Sequence, residues 1–350
     1  MSAKTEAPSS PQYPTLTDYA RSWLARRKTR GAKPSTLARA AQVLEQGILP
    51  VLGDRRADEI RKNDIEEWLS WAAKSRSQKR RIRSPETING WLRLLKTVLR
   101  DAVGDLDLPR DPTFRVKGLP ARPTRITDEQ PNSLTDDELR RFLDAMPGET
   151  AEIRALCVVG FFTGMRFGEI SALTWNDVRE DAGLLLIRRS HWRGKVTTTK
   201  TGKNRSAALH PVMLGALREQ RKVLLERHLP AIGAALVFPS ATGGYHVPSY
   251  LEKPFRRILK AAKIEKHLSA HGMRRTFNNL MRQARVDRVV LHATIGHSSE
   301  SMTEHYSNVR PEEKLAAVNQ LVESARLDQI WLFRWLSGVN GTSTPSGSSP

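Results

Sequence analysis

The chain has 350 residues, of which 39% are hydrophobic and 27% charged, enough for two domains with cores of their own. Lys and Arg number 57 against 37 Asp and Glu, and the formal net charge of +20 points to a polyanionic partner, because each cation set on a phosphate releases condensed counterions. No run of about 18 apolar residues is there to cross a bilayer, and no charged-then-apolar segment opens the chain as a secretion signal. The single cysteine allows neither an internal disulfide nor a cysteine zinc cluster, so a reducing cytoplasm is the expected compartment and a membrane is not an expected partner.

Residues 1–13 are polar and proline-bearing and are expected to be disordered. A helical region follows over residues 14–104. Leu16, Tyr19, Trp23 and Leu24 share one helical face, and Ser35 is the expected cap of a second helix carrying Leu37, Ala41, Leu44 and Ile48. Asn63 with Glu66 reads as the start of a third, ahead of Ile65, Trp68, Leu69 and Ala72. Ser84 with Pro85 opens a fourth, carrying Ile88, Trp91, Leu95, Val98 and Ala102, since proline at the first helical position costs no hydrogen bond. Four short helices with basic connections suit a module that grips DNA. Lys74 to Arg83 is the densest positive run, and Lys79, Arg80 and Arg81 are its candidate phosphate contacts; a solvated loop is the plainer alternative.

Residues 105–131 hold five prolines and little helical periodicity, which reads as an interdomain linker. The next domain is expected over 132–337. Thr135 begins T-D-D-E, the form of a capping box. Ala155 to Phe162 is apolar throughout and reads as a buried helix that includes Cys157. Gly183 to Ala208 alternates β-branched, basic and glycine residues, as a small sheet of two or three strands would. Helices are expected from there to about Trp335, before a glycine, serine and proline tail over 338–350. The fold class expected is mainly α with a small antiparallel β-sheet.

Four motifs carry the chemistry. They are T-G-M-R-F-G-E-I from Thr163, T-K-T-G-K-N-R from Thr199, S-A-H-G-M-R-R-T-F from Ser269, and I-G-H-S-S from Ile295 followed by H-Y-S-N-V ending at Val309. Cleaving a phosphodiester with a side chain requires a nucleophile, charge stabilisation, a proton acceptor and a proton donor. Arginine suits the second task, because its planar fork binds two oxygens and stays protonated. Arg166 follows an apolar helix, and Glu169, three residues on, is placed to orient it. His271 and Arg274 are also three apart and share a helical face. Lys200 and Lys203 compete as proton donor, with Lys200 favoured because Gly202, Lys203 and Asn204 read as the turn itself. Of five tyrosines, Tyr306 follows His297 by nine residues.

This ordered set resembles the tyrosine recombinase (phage integrase) family, over a stretch from about Tyr13 to about Ala325. The first motif fits the family's T-G-x-R-x-x-E-x-x-x-L-x-W box through Leu173 and Trp175, and His271 with Arg274 fits its H-x-x-R box. Arg275 stands where the family often has His or Lys. His297 fits the family's G-H motif, with Tyr306 at the family's spacing. The resemblance implies a helical SAM-like core-binding domain joined to a tyrosine recombinase catalytic domain. It implies that Arg166 and Arg274 clamp the scissile phosphate, Lys200 protonates the leaving oxygen, and His271 and His297 exchange protons or hydrogen-bond the phosphate. Tyr306 would then form a 3′-phosphotyrosine and release a 5′-hydroxyl.

Further implications of the resemblance are double-stranded DNA as partner, a homotetramer on two DNA sites that is monomer or dimer off DNA, and a nucleoid-associated cytoplasmic location. An accessory DNA-bending or directionality protein is a further candidate partner, and no cofactor, metal or ATP is called for. Integration or excision of a mobile element is the implied role. A type IB topoisomerase-like activity and a non-catalytic DNA-binding relative are the alternatives. The short stretch before the first helix leaves no room for an arm-binding domain, so a simple site architecture is expected. Leu321 to Leu336 is rich in aliphatic and aromatic residues; it is expected either to pack on its own domain or to dock on a neighbouring protomer.

Overall fold

The computed structural model describes residues 13–76, 81–120, 132–198, 204–295 and 311–330. The chain divides into two compact units at Ile126/Thr127.

The first unit holds α1 (Leu16–Thr29), α2 (Pro34–Val43), α3 (Leu49–Leu52), α4 (Lys62–Lys74) and α5 (Pro85–Asp105). The Thr15 hydroxyl accepts the Asp18 N–H at the start of α1, and Arg26, Arg27 and Lys28 complement the dipole at its end. Two helix starts differ from the sequence expectation. α2 begins at Pro34 rather than after a Ser35 cap, because a proline at the first position needs no N–H partner. α4 begins at Lys62, where the Asp64 carboxylate accepts the Arg61 N–H at 2.7 Å, a nearer acceptor than Glu66. Ser84 and Pro85 open α5 as expected.

Between α2 and α3 the chain makes a π-helical turn, Leu44–Ile48. Two tryptophans close on it. The Trp68 indole donates to the Gly47 carbonyl at 2.6 Å, and a Cβ on Gly47 would sit 2.6 Å from the Trp91 ring. Only glycine lets that ring lie against the backbone. α1 is tied to α5 by Tyr19 to Asp105 and Trp23 to Asp101, both 2.6 Å. The stretch that reads as linker is in its first part a piece of this core. Leu108 and Val116 are buried there, and Asn89 on α5 holds Leu119 by a reciprocal pair of 2.8 Å bonds.

The second unit begins with α6 (Asp136–Asp144), whose capping box is formed as expected: Thr135 N–H to Glu138 at 2.8 Å and Glu138 N–H to the Thr135 hydroxyl at 3.2 Å. The apolar run becomes α7 (Ala151–Thr163), buried from Ala155 to Thr163, and Cys157 lies inside the core. α8 (Phe167–Ser171) follows a sharp turn. Five short strands come next: β1 (Val178–Arg179), β2 (Leu184–Ile187), β3 (Arg189–Trp192), β4 (Lys195–Thr198) and β5 (Arg205–Ala208). They form two antiparallel sheets rather than one. One has the order β1-β2-β5, with Ile187 opposite Arg205; the other is the β3-β4 hairpin. Arg193 and Gly194, both at positive φ, make the two-residue turn that suits such a hairpin.

Helices α9 (Pro211–Glu226), α10 (Glu252–Ala261), α11 (Ala270–Gln283), α12 (Arg288–Ile295) and α13 (Pro311–Ser324) complete the described part of this unit. Phe142, Phe161, Phe162, Phe238, Phe255 and Phe277 fill its core. Leu321, Val322, Ala325, Leu327 and Ile330 also belong to that core, so the end of the chain packs on its own unit at least through Ile330. Trp331, Phe333, Trp335 and Leu336 lie outside the described residues.

Candidate active site

The C-terminus of α7 sets the first arginine. Gly164 takes the left-handed conformation (φ 59°) that ends the helix, and the chain turns at once into Arg166. Arg166 precedes α8, and its backbone N–H donates to Glu169 Oε2 at 2.8 Å while its Nη1 donates to Oε1 at 3.1 Å. The pairing expected at that spacing is therefore present. The arginine side chain keeps 25% of its surface open, whereas the Glu169 side chain is wholly buried. Leu173 and Trp175, the remaining residues of the first box, are buried and serve the core.

Arg274 reaches the same place from α11. It is 3% exposed, and its Nη1 donates to the Gly164 carbonyl at 2.7 Å. α11 can lie this close to α7 because Gly160 faces Met273; a Cβ there would stand 2.5 Å from the sulfur. The first and third motifs thus meet at one helix terminus. His271 sits in the first turn of α11 with an exposed side chain, one turn ahead of Arg274.

A third arginine, the last residue of the second motif but given no role by the sequence, completes the cluster. Arg205, at the start of β5, grips Glu169 with both arms, Nη1 to Oε1 at 3.2 Å and Nη2 to Oε2 at 2.6 Å, and its Nε donates to the Thr294 carbonyl at 3.0 Å. Burial pushes the Glu169 carboxyl up, but the Arg205 hydrogen bonds and charge, with those of Arg166, outweigh it and hold the group below its ordinary value. Arg274 shows the opposite strain. Burial, then the charges of Arg166 and Arg205, bring its guanidinium down to about 10, against the opposing pull of Glu169. Among the described residues, the guanidinium groups of Arg166 and Arg205 pair with one carboxylate here, and Arg274 stands close enough to feel all three charges. An anion with several oxygens is the ligand that would relieve them.

Alongside lies an open cavity of about 450 Å³ lined by Leu186, Arg188, Asn204, Arg205, Ser206, Ala293 and Lys314. Lys314 is buried and donates to the Ser206 carbonyl (3.1 Å) and hydroxyl (3.0 Å); burial and then the Arg205 charge push its ammonium down. Arg188 is committed to Asp177 at 2.9 and 2.6 Å.

Lys200, His297 and Tyr306 lie outside the described residues, as does Lys203. Lys200 falls in the connection from β4 to β5, and His297 and Tyr306 fall between α12 and α13. In the first unit, Lys79 and Arg80 are likewise outside the described residues, and Arg81 is exposed. That basic connection is closed at its base by an Arg76–Ile82 bridge and by Arg83, which lies over the Trp91 ring at 4.7 Å.

Residues 132–313 match the phage integrase family, and residues 15–71 match the SAM-like N-terminal domain of phage integrases. The first match alone spans more than half of the chain, so the protein belongs to the phage integrase family. It is similar to a tyrosine recombinase XerC-like protein of Caldanaerobacter subterraneus subsp. tengcongensis, 24% identical over 262 residues that cover 68% of this chain and 66% of that one. It is also similar to an integrase of Streptomyces ambofaciens, 25% identical over 326 residues, 87% of this chain and 79% of the relative. The chain spans 52% and 48% of the length of two other curated relatives. In fold it is similar to a lambda integrase solved as a dimer bound to a COC′ core site, with 17% identity, a TM-score of 0.61 and coverage of 85% of this chain and 99% of that one. The Tn1549 transposon integrase, solved in complex with circular intermediate DNA, gives 21% identity, a TM-score of 0.59, and coverage of 86% and 98%.

Proposed function

We propose that this protein is a site-specific DNA recombinase that cleaves and rejoins double-stranded DNA through a 3′-phosphotyrosine at Tyr306, in the integration or excision of a mobile element. The observation that carries the reading is the cluster of Arg166, Arg205 and Arg274, which among the described residues has only the carboxylate of Glu169 beside it. Such an excess of fixed positive charge suits a phosphodiester whose charge grows in the transition state. Arg166 and Arg274 bind the non-bridging oxygens. Tyr306 attacks phosphorus and its phenol proton passes to a nearby base, the role we assign to His271. The 3′-phosphate becomes a phosphotyrosine ester, and the departing 5′ oxygen takes a proton from Lys200. His297 hydrogen-bonds the same phosphate. The ester keeps the energy of the broken bond, so the 5′-hydroxyl of a second duplex reseals the strand by reversing the step.

Two DNA sites call for four protomers, and the helices of the first unit, with Lys79, Arg80 and Arg81 in their basic connection, supply grip on the backbone. An accessory DNA-bending or directionality protein and a nucleoid-associated cytoplasmic location go with this role. Among the described residues no helix is long and apolar enough to cross a membrane.

The test begins with sheared genomic DNA from the source strain. The chain is mixed with it, the reaction is denatured, and DNA that stays covalently bound to protein is sequenced. A single enriched site is expected. Two copies of that site on one plasmid should then be recombined by the purified chain, alone or with a cell extract. Relaxation of supercoils with no exchange between the two copies would point to a topoisomerase instead, and absence of any covalent product would overturn the reading.

A further inference from the structure

We infer that Arg205 is a positioning residue of this active site, one that keeps Glu169 from closing on Arg166 and ties together the elements from which the other catalytic groups depart. The inference rests on the recombinase reading above.

Arg205 is poorly placed to bind substrate itself. Its side chain is 8% exposed, and each of its three nitrogens is already engaged: two on Glu169 and one on the Thr294 carbonyl. Arg166 is the reverse case. It touches Glu169 with one arm only, at 3.1 Å, and a quarter of its side chain is open. A buried carboxylate attracts as many guanidinium donors as geometry permits. Because Arg205 occupies both Glu169 oxygens, Arg166 is held by its backbone N–H and one Nη, and the rest of its fork is left for a phosphate oxygen. Without Arg205, the two Glu169 oxygens would face Arg166 alone, and a closed bidentate pair would draw the fork out of use.

The second half of the argument is topological. Arg205 opens β5, directly after the connection that carries Lys200. Glu169 lies on α8, directly after Arg166. Thr294 is in the last turn of α12, three residues before His297. One guanidinium therefore fixes the departure points of Lys200, Arg166 and His297 relative to one another. A 1 Å error in such placement can lower a rate by about 10²-fold.

The test uses the full chain and a nicked duplex built on the captured target site, which traps the covalent product. Arg205→Gln should lower the single-turnover cleavage rate at saturating DNA by about 10²-fold. Affinity for the same duplex, set by many phosphate contacts, should change less than about threefold. Arg205→Lys keeps the charge but not the three-point geometry and should fall between. The decisive variant is Arg205→Gln combined with Glu169→Gln. Removing the carboxylate frees Arg166 again, so the double variant should cleave about tenfold faster than Arg205→Gln alone, the size of coupling usual for contacting residues. A residue needed only for folding gives no such rescue, and thermal denaturation of each variant reads folding separately. If Arg205→Gln cleaves as wild type does, or if the two losses simply add, the inference is overturned. If the wild-type chain itself forms no adduct with this DNA, the recombinase reading falls and takes the inference with it.

Discussion

Glu169→Gln is the substitution whose effect the structure specifies most fully. The wild-type carboxylate is wholly buried and accepts four hydrogen bonds: the Arg166 N–H at 2.8 Å, Arg166 Nη1 at 3.1 Å, and Arg205 Nη1 and Nη2 at 3.2 and 2.6 Å. The amide keeps the shape but removes the charge, and its NH2 group faces a guanidinium that can only donate. Arg205, 8% exposed at its side chain, is then left without a counter-charge. Breaking a buried pair in this way costs about 3–5 kcal/mol. For a unit of this size that is a fall of about 10 °C in the melting transition. Glu180→Gln is the control. Glu180 meets Arg218 and Arg221 at 2.9 and 3.4 Å but is one-third exposed, and an exposed pair is worth about 0–1 kcal/mol.

The pH dependence gives a second reading of the same group. The folded-state pKa of Glu169 lies below its ordinary 4.5, so its contribution to stability is present above that value and is lost as pH falls through the folded pKa. The difference in stability between wild type and the Glu169→Gln variant should therefore shrink on acidification. Calorimetry at neutral and acid pH checks both points. A loss no larger than that of Glu180→Gln, or a difference that does not narrow in acid, would refute the account of the cluster.

Other outcomes follow from the same description. Arg274→Ala should lower cleavage of the trapped duplex by about 10²–10³-fold, the usual cost of removing one fixed donor to a transition-state oxyanion, with a much smaller change in binding; near wild-type cleavage would make Arg274 a structural cap on Gly164. Replacing Lys79, Arg80 and Arg81 together by Gln should flatten the plot of log affinity against log salt by roughly 0.9 for each phosphate that is no longer neutralised, and an unchanged slope would make the run a solvated loop. Leu327→Ala removes a fully buried side chain and should destabilise the second unit by about 2–5 kcal/mol, read from denaturant unfolding. Truncation after Ile330 should leave that unit folded; its effect on cooperative binding of two protomers tests whether the segment from Trp331 to Leu336 docks on a neighbour.

Local signals are the legible part of the sequence. The Thr135 capping box, the apolar α7, the Pro85 helix start and the Arg166–Glu169 pair all act within a few residues, where spacing alone fixes who can meet whom. Arg205 escapes such signals for the opposite reason. It is 36 residues from Glu169 and 89 from Thr294, and only the folding of β5 against α8 and α12 brings them together. A physical clue is present all the same: a glutamate in an apolar box, destined for burial, is under-neutralised by one half-open arginine. The linker reads too long because its prolines hide two isolated core residues, Leu108 and Val116, held to α5 by the Val103 carbonyl and the Lys96 side chain respectively rather than by any helix of their own. The two sheets read as one because strands of four residues carry too few alternations to show where a sheet ends.

The central claim is that Tyr306 becomes covalently joined to DNA, and the most direct measurement is identification of that bond. The trapped product of the nicked duplex is digested with protease and nuclease, and the nucleotide-bearing peptide is sequenced by mass spectrometry. The account predicts a 3′-phosphotyrosine on the peptide containing Tyr306, and no adduct from Tyr306→Phe although that variant still binds the duplex. An adduct on another residue, or undiminished adduct from Tyr306→Phe, would contradict it.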